Sequence, residues 1–153
     1  MSLESGAVRV ERSEQGDLAA VSASGARLRI VGGPGGEADG WQPTELLMAA
    51  LAGCVALDVA TILERQRNRQ LTADITVTPG LRDDSLPGRA FQSLRVQQAW
   101  TGPMSAEALA RAVALAVERY CTVQLTLERA VEVEHSLQLV RTDAASEATA
   151  EGA

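Results

Sequence analysis

The sequence predicts an α+β fold built from antiparallel sheets, and three observations support this class. Segments with the two-residue alternation of strands occur as neighbouring pairs separated by turn residues. One long apolar segment near the middle of the chain has the length and composition of a helix. The predicted order is three strands, a helix, two strands, a helix and a strand, so strands follow strands instead of alternating with helices, which favours an α+β arrangement.

The predicted strands share alternating apolar residues bounded by Gly, Pro, Ser or Asp. They begin at Val8 and continue over residues 17–23, 26–31, 73–77, 91–100 and 130–140. Ser24-Gly25 is typical of a hairpin turn between the second and third strands. The Gly-rich loop over 32–40 lacks the GxGxxG and GxxxxGK patterns, so it does not predict a phosphate cradle.

The first predicted helix begins at Pro43, Thr44 and Glu45 and runs to about Arg67. Pro is tolerated in the first turn, Thr can cap, and an early Glu suits the positive end of the helix dipole.

The second helix begins after Ser105, a good N-cap residue, and Met104 and Leu109 flank it as a hydrophobic staple. Its predicted apolar stripe contains Leu109, Val113, Ala116 and Tyr120.

Composition narrows the classes of function. The 153 residues suffice for a single domain, predicted over 1–140, and the small, polar and acidic residues 141–153 are expected to be a disordered tail. A net charge of −6 without a basic cluster argues against a nucleic-acid partner. The chain contains no Lys, which excludes Schiff-base chemistry and the Lys-dependent phosphate loop.

The segment 46–63 has the length of a membrane span, but Asp58 near its centre would cost roughly 2.5–3.5 kcal/mol on insertion. A helix buried in the protein core is therefore predicted, with no membrane partner. Because Met1–Val10 has no apolar signal-peptide core, a cytoplasmic location is expected.

The two Cys residues are the strongest candidates for chemistry. Cys54 lies about three turns into the first helix, and Cys121 directly follows the second helix, where a more exposed turn is expected. Both could be small core residues, since free Cys is often buried, or they could be redox-active thiols in a cytoplasmic protein.

A reactive Cys54 would need a nearby positive charge, because the nucleophile is the thiolate. The negative charge of Asp58, one turn later, would disfavour ionisation of Cys54. The available candidates include Arg9, Arg12, Arg27 and Arg29 in the first strands.

Metal binding has weaker support in the sequence. His135 is the only His, and it falls on the apolar face of a predicted strand. Neither a CxxC nor an HxxxH spacing supports a zinc site, so we expect no metal.

Three segments together resemble the OsmC/Ohr family. They are the run from Gln42 to Val59 (QPTELLMAALAGCVALDV), the sequence Tyr120-Cys121-Thr122-Val123, and Val133-Glu134-His135-Ser136 in the last predicted strand. The resemblance covers nearly the whole chain up to about Val140, and within the family the sequence is most similar to the OsmC-like branch.

The resemblance implies an intertwined homodimer in which sheets wrap two long central helices. It also implies reduction of organic hydroperoxides, with Cys54 attacking the peroxide and Cys121 resolving the sulfenic acid as a disulfide. A lipoyl-type dithiol would then reduce the pair, and no metal or organic cofactor would be needed. The resemblance identifies Arg12 as the candidate for the family's catalytic Arg, whereas Thr44 occupies the place of a family Glu, with Glu45 one residue late.

Two functions remain open at the level of sequence. One is a Cys-dependent hydroperoxide reductase, and the other is a non-enzymatic OsmC-like dimer that binds a small apolar ligand. They differ in whether Cys54 is acidic and reachable.

Overall fold

The computed structural model describes residues 6–32, 39–66, 71–80, 90–129 and 135–136. Within these ranges the first three strands form an antiparallel sheet in the order β1 (Val8–Arg12), β2 (Leu18–Ser22) and β3 (Arg27–Ile30). Gly25 in the predicted turn has a φ of +86°, a left-handed conformation that Gly adopts without steric cost. The three predicted strands and their hairpin are confirmed.

The register of this sheet separates a charged face from an apolar face. Arg12 pairs with Leu18, and Leu18 pairs with Ile30, so these three side chains share the face that carries Val8 and Val10. The opposite face carries Arg9, Glu11, Arg27 and Arg29. Val8 and Val10 are 65% and 56% exposed, so the β1 part of the apolar face is not covered by the chain's own described residues, whereas Leu18 and Ile30 are half-buried.

Helix α1 (Pro43–Arg65) is the central element of the core. Pro43 occupies the first turn, and the Glu45 carboxylate accepts a hydrogen bond of 2.8 Å from the N–H of Gln42. Gln42, and not Thr44, is therefore the N-cap residue, because the helix begins two residues earlier than a Thr44 cap would require.

One face of α1 is buried, through residues four positions apart that form a single stripe: Leu51, Val55, Val59 and Leu63. Among the described residues, α1 is the one helix that is long and apolar enough to cross a membrane, judged by length and composition alone. Only 22% of its most apolar window is buried within the chain, and Leu57 is 71% exposed.

Strands β4 (Thr72–Pro79) and β5 (Leu94–Thr101) pair antiparallel, with Val77 opposite Val96. Five apolar side chains of this second sheet pack against the buried core residues of the molecule: Ile75, Val77, Leu94, Val96 and Trp100. Both predicted strands are confirmed, with boundaries shifted by a few residues.

Helix α2 (Ala106–Leu115) continues into a π-helical turn, Ala116–Tyr120, which Cys121 follows. The predicted Ser105 cap is confirmed, since its Oγ accepts a 3.1 Å hydrogen bond from the N–H of Ala108. A short helix α3 (Thr122–Leu127), which the sequence analysis did not predict, completes this part of the chain.

The predicted apolar stripe of the second helix is wrong at Tyr120, which is 57% exposed. The N–H of Cys121 bonds to the carbonyl of Ala116 at 2.8 Å, five residues back instead of four. This wider turn rotates Tyr120 away from the core and brings Cys121 into it. The buried positions are consequently Ala112, Ala116 and Cys121.

The predicted last strand lies almost wholly outside the described residues, as does the predicted tail 141–153. Within it, only His135 and Ser136 are described; both are exposed and neither is assigned to a strand.

Candidate active site

Cys54 sits on α1 beside the buried stripe, between Leu51 and Val55, and its side chain is half-buried at the edge of the core. Its Sγ donates to Oδ2 of Asp58, 3.7 Å away and one helical turn further on. This pair follows directly from the helix, since residues four apart lie on the same face. Asp58 is half-buried as well, so the carboxylate and the thiol share one partly solvated position.

Cys121 is fully buried, at 0% exposure, which corrects the expectation of an exposed turn. The π-helical turn provides the physical reason, because its extra residue turns position 121 towards α1. Cys121 also caps α3, and its Sγ accepts a hydrogen bond of 3.4 Å from the N–H of Gln124. Of the two thiols, Cys54 is therefore the more accessible.

The fold brings the two thiols together from helices that are far apart in sequence. The sulfur atoms of Cys54 and Cys121 and a carboxylate oxygen of Asp58 all lie within 4.8 Å of one another. Both Cys residues are free thiols. A disulfide needs the sulfur atoms about 2.05 Å apart, so a closing movement of a few ångströms would join them.

Burial raises the pKa of the Cys121 thiol to about 11, and its contact with Cys54 and the charge of Asp58 act in the same direction. The hydrogen bond from the Gln124 N–H acts in the opposite direction and lowers this pKa. Cys121 is therefore a protonated thiol at neutral pH. A protonated thiol is a poor nucleophile towards solutes, which suits a resolving residue.

The structure places the four candidate Arg residues on the three-stranded sheet. Three of them, on its charged face, form ion pairs: Arg9 and Arg27 with Glu11, and Arg29 with Asp39. Arg12 lies on the apolar face, where its guanidinium approaches Gly16. In the part of the chain that is described, no ion pair joins Arg12 to a carboxylate, and no strand of this sheet contributes to the core cluster that holds the thiols.

The carboxylate of Glu45 is engaged at the start of α1 by the N–H of Gln42, six residues before Leu51, the first residue of the buried stripe. Thr44 lines a pocket of about 590 Å³ between α1, β5 and α3. Its apolar walls include Leu47, Leu51 and Leu94. Leu51 lies one turn before Cys54, and Gln124, which also lines the pocket, bonds to Cys121, so the pocket reaches to within one helical turn of each thiol.

The comparisons with known proteins agree with this architecture. The family model described as OsmC-like protein matches residues 35–136, which include both thiols. The chain belongs to the OsmC-like protein family. The resemblance seen in the sequence is thus confirmed, and the antiparallel α+β architecture is that of solved members of the family.

Among OsmC-like relatives, the protein YhfA of Escherichia coli K12 is 35% identical over 120 residues, which cover 78% of this chain and 87% of YhfA. The OsmC-like protein of Mycoplasma pneumoniae has a TM-score of 0.65 at 15% identity, covering 84% of this chain and 89% of that one. An organic hydroperoxide resistance protein OsmC from Legionella pneumophila has a TM-score of 0.53 at 15% identity, covering 83% and 91%. Both structural matches show a shared fold.

Sequence reasoning did not find the contribution of Gln124, because a backbone N–H leaves no signature in residue type. It noted Asp58 only as a charge opposing Cys54. The spacing of four residues between Cys54 and Asp58 was the available signal for their contact.

Proposed function

We propose that this protein reduces organic hydroperoxides through its two thiols, with Cys54 as the nucleophile and Cys121 as the resolving residue. The observation that carries the proposal is a half-buried thiol held within 4.8 Å of a fully buried one. The accessible thiol can meet a peroxide from solution, whereas the buried thiol can react only with its neighbour.

The reaction would proceed in two thiol steps. The Cys54 thiolate attacks one peroxide oxygen; an S–O bond forms, the O–O bond breaks, and the alcohol leaves after taking up a proton. Cys121 then attacks the sulfur of the Cys54 sulfenic acid, so that a disulfide forms and water leaves. An external dithiol, of lipoyl type by family resemblance, reduces the disulfide and is itself oxidised to its cyclic disulfide.

The carboxylate of Asp58 accepts the hydrogen bond of the Cys54 thiol at 3.7 Å, so a positive charge from another part of the assembly is needed for the thiolate to form. The same carboxylate helps to keep Cys121 protonated, because its charge raises the pKa of that thiol. The site thus favours an order of events in which Cys54 reacts first.

The apolar pocket beside the thiols supports an organic substrate over hydrogen peroxide. Its volume of about 590 Å³ fits a small hydrocarbon group, and Leu47, Leu51 and Leu94 would contact it. The Legionella pneumophila protein of the same fold carries the name of an organic hydroperoxide resistance protein, which agrees with a peroxide-related role.

We further propose that the working form is an intertwined homodimer in the cytoplasm, with two copies of α1 at its centre. Exposed apolar side chains support this assembly, since exposed patches of this kind mark interfaces: Leu47 and Leu57 on α1, and Val8 and Val10 on the apolar face of the β1–β3 sheet. Arg12 lies on that sheet face, so a partner subunit packed there would meet it. This arrangement would allow Arg12 to supply the positive charge from across the interface.

A single-turnover experiment tests the proposal. The reduced protein is mixed with one equivalent of cumene hydroperoxide, and free thiols and cumyl alcohol are measured. We expect two thiols lost and one alcohol formed for each peroxide, with an intramolecular Cys54–Cys121 disulfide found by mass spectrometry. Two intact thiols and unreacted peroxide would overturn the proposal and favour a non-enzymatic, ligand-binding protein.

A further inference from the structure

We infer that Cys54, Asp58 and Cys121 form a binding site for a thiophilic divalent cation, of which Zn²⁺ is the representative. The ligand atoms of these three side chains lie within 4.8 Å of one another, and no other group of three such residues in the described part of the chain meets this condition. The inference concerns metal binding alone, and it does not depend on peroxidase activity.

The distances suit a tetrahedral ion. With Zn–S bonds of about 2.3 Å, two thiolates bound to one zinc lie about 3.8 Å apart, so a contraction of at most about 1 Å would suffice here. Cys54 and Asp58 are presented by the same face of α1, one turn apart, and Cys121 is fixed opposite them at the start of α3. Two of the three ligands therefore have a rigid mutual position.

The chemistry of the donors selects the kind of metal. Two sulfur ligands favour zinc and similar thiophilic ions, whereas Mg²⁺ and Ca²⁺ require oxygen ligands. Binding would displace the two thiol protons, which leave to solvent, and the dication would be balanced by two thiolates with the Asp58 carboxylate as third ligand. Water would take the fourth position on the more accessible Cys54 side, as in zinc sites with three protein ligands.

The surroundings of the buried sulfur fit a bound thiolate. The N–H of Gln124 points to the Sγ of Cys121 at 3.4 Å, and hydrogen bonds of this kind orient and tune metal ligands from the outer shell. Residue spacing offers no such site, because Cys54 and Cys121 come from separate helices and neither belongs to a CxxC motif.

A bound cation would have a direct chemical consequence. The sulfur lone pairs that attack peroxides or alkylating agents would be shared with the metal, so both thiols would be shielded until the ion is removed. The site would thus have two exclusive states, a metal-bound dithiolate and a free dithiol that can close to a disulfide.

The test uses the full-length reduced protein, Zn²⁺ with a competing chromophoric chelator, and Co²⁺ as a spectroscopic probe. We expect one metal per chain, a thiolate-to-cobalt charge-transfer band, and protection of Cys54, the more accessible thiol, from iodoacetamide. Asp58→Asn should weaken Zn²⁺ binding at least about tenfold, and Cys54→Ser should abolish the charge-transfer band or reduce it strongly. Glu64→Gln, an exposed carboxylate on the same helix, is the matched control and should change nothing.

Circular dichroism of each variant shows whether it folds, and Asp58→Asn keeps both thiols should the Cys variant fail to fold. Equal Zn²⁺ affinity in the wild type, Asp58→Asn and Glu64→Gln, or wild-type protein without a cobalt–thiolate band, would overturn the inference. Because alkylation and metal binding are measured without peroxide, failure of the metal site and failure of the proposed peroxidase remain distinguishable.

Discussion

The thiol sulfur of Cys54 lies 3.7 Å from Oδ2 of Asp58, one turn further along the same helix. The carboxylate of Asp58 is also close enough to Cys121 to raise the pKa of that buried thiol. The carboxylate of Asp58 therefore interacts with both thiols of the proposed reaction. It accepts a hydrogen bond from Cys54, and its charge disfavours ionisation of Cys121.

Replacing this charge should change the resolving step. In Asp58→Asn, one of the groups that raise the pKa of Cys121 is gone, so the rate of disulfide closure should reach its alkaline plateau at lower pH than in the wild type. At pH 8 we expect closure to be roughly twofold faster, because Asp58 is the smallest of the groups that raise this pKa. Rapid acid quench after one equivalent of cumene hydroperoxide, followed by mass spectrometry, measures it. Glu64→Gln serves as control, and identical pH profiles for all three proteins would contradict the prediction.

Replacement of each thiol by Ser should block a different step of the reaction. Cys54→Ser should abolish hydroperoxide reduction, because a hydroxyl is a far weaker nucleophile at neutral pH. Cys121→Ser should consume one peroxide per subunit and then stall as a sulfenic acid open to over-oxidation. A sulfenic-acid probe distinguishes the variants by mass spectrometry. A label on Cys121 in Cys54→Ser, with none on Cys54 in Cys121→Ser, would reverse the assigned roles.

Stability should fall in alkaline solution because of Cys121. Its pKa is raised from 9.0 to about 11 in the folded protein, chiefly by burial, so the unfolded chain loses this proton more readily. The contribution is complete below pH 9 and is lost as the pH rises towards 11, which should lower the free energy of unfolding by roughly 1–3 kcal/mol.

Urea unfolding of the reduced protein at several pH values measures this slope. The absence of Lys from the sequence removes the largest competing titration in the same range. Cys121→Ala is the control, since it should lose the Cys121 part of the slope whatever its absolute stability. An equal slope in both proteins would show that Cys121 is not the titrating group.

The exposed face of α1 should hold two chains together. Leu57 is 71% exposed in the single chain, and a charge there would have to be buried in the proposed dimer. Leu57→Glu should therefore shift the protein towards a monomer. Light scattering measures this at a protein concentration at which the wild type is still a dimer. Ala110→Glu, which adds the same charge at an exposed position of α2, should remain dimeric. A wild-type mass near the 16.1 kDa of one chain would contradict the proposal.

Local patterns predicted most of the elements correctly. The alternation from Val8, the Gly25 turn, the start of α1 at Pro43 and the Ser105 cap are all properties of short segments, and the structure confirms each of them. The exposure of Tyr120 and of Cys121 was predicted wrongly, because an uninterrupted 3.6-residue period was assumed through a π-helical turn.

The sequence by itself determined the class of fold, the family and the two thiols, because hydrophobic periodicity, capping residues and the order of motifs are properties of the linear sequence. Only the tertiary structure decided which thiol is buried and that Asp58 lies beside both. Those facts depend on α1 packing against the start of α3, a contact between residues far apart in sequence, and on one extra residue in the turn before Cys121. Long-range packing and a single backbone hydrogen bond, neither of which has a local signature, bring the three side chains together.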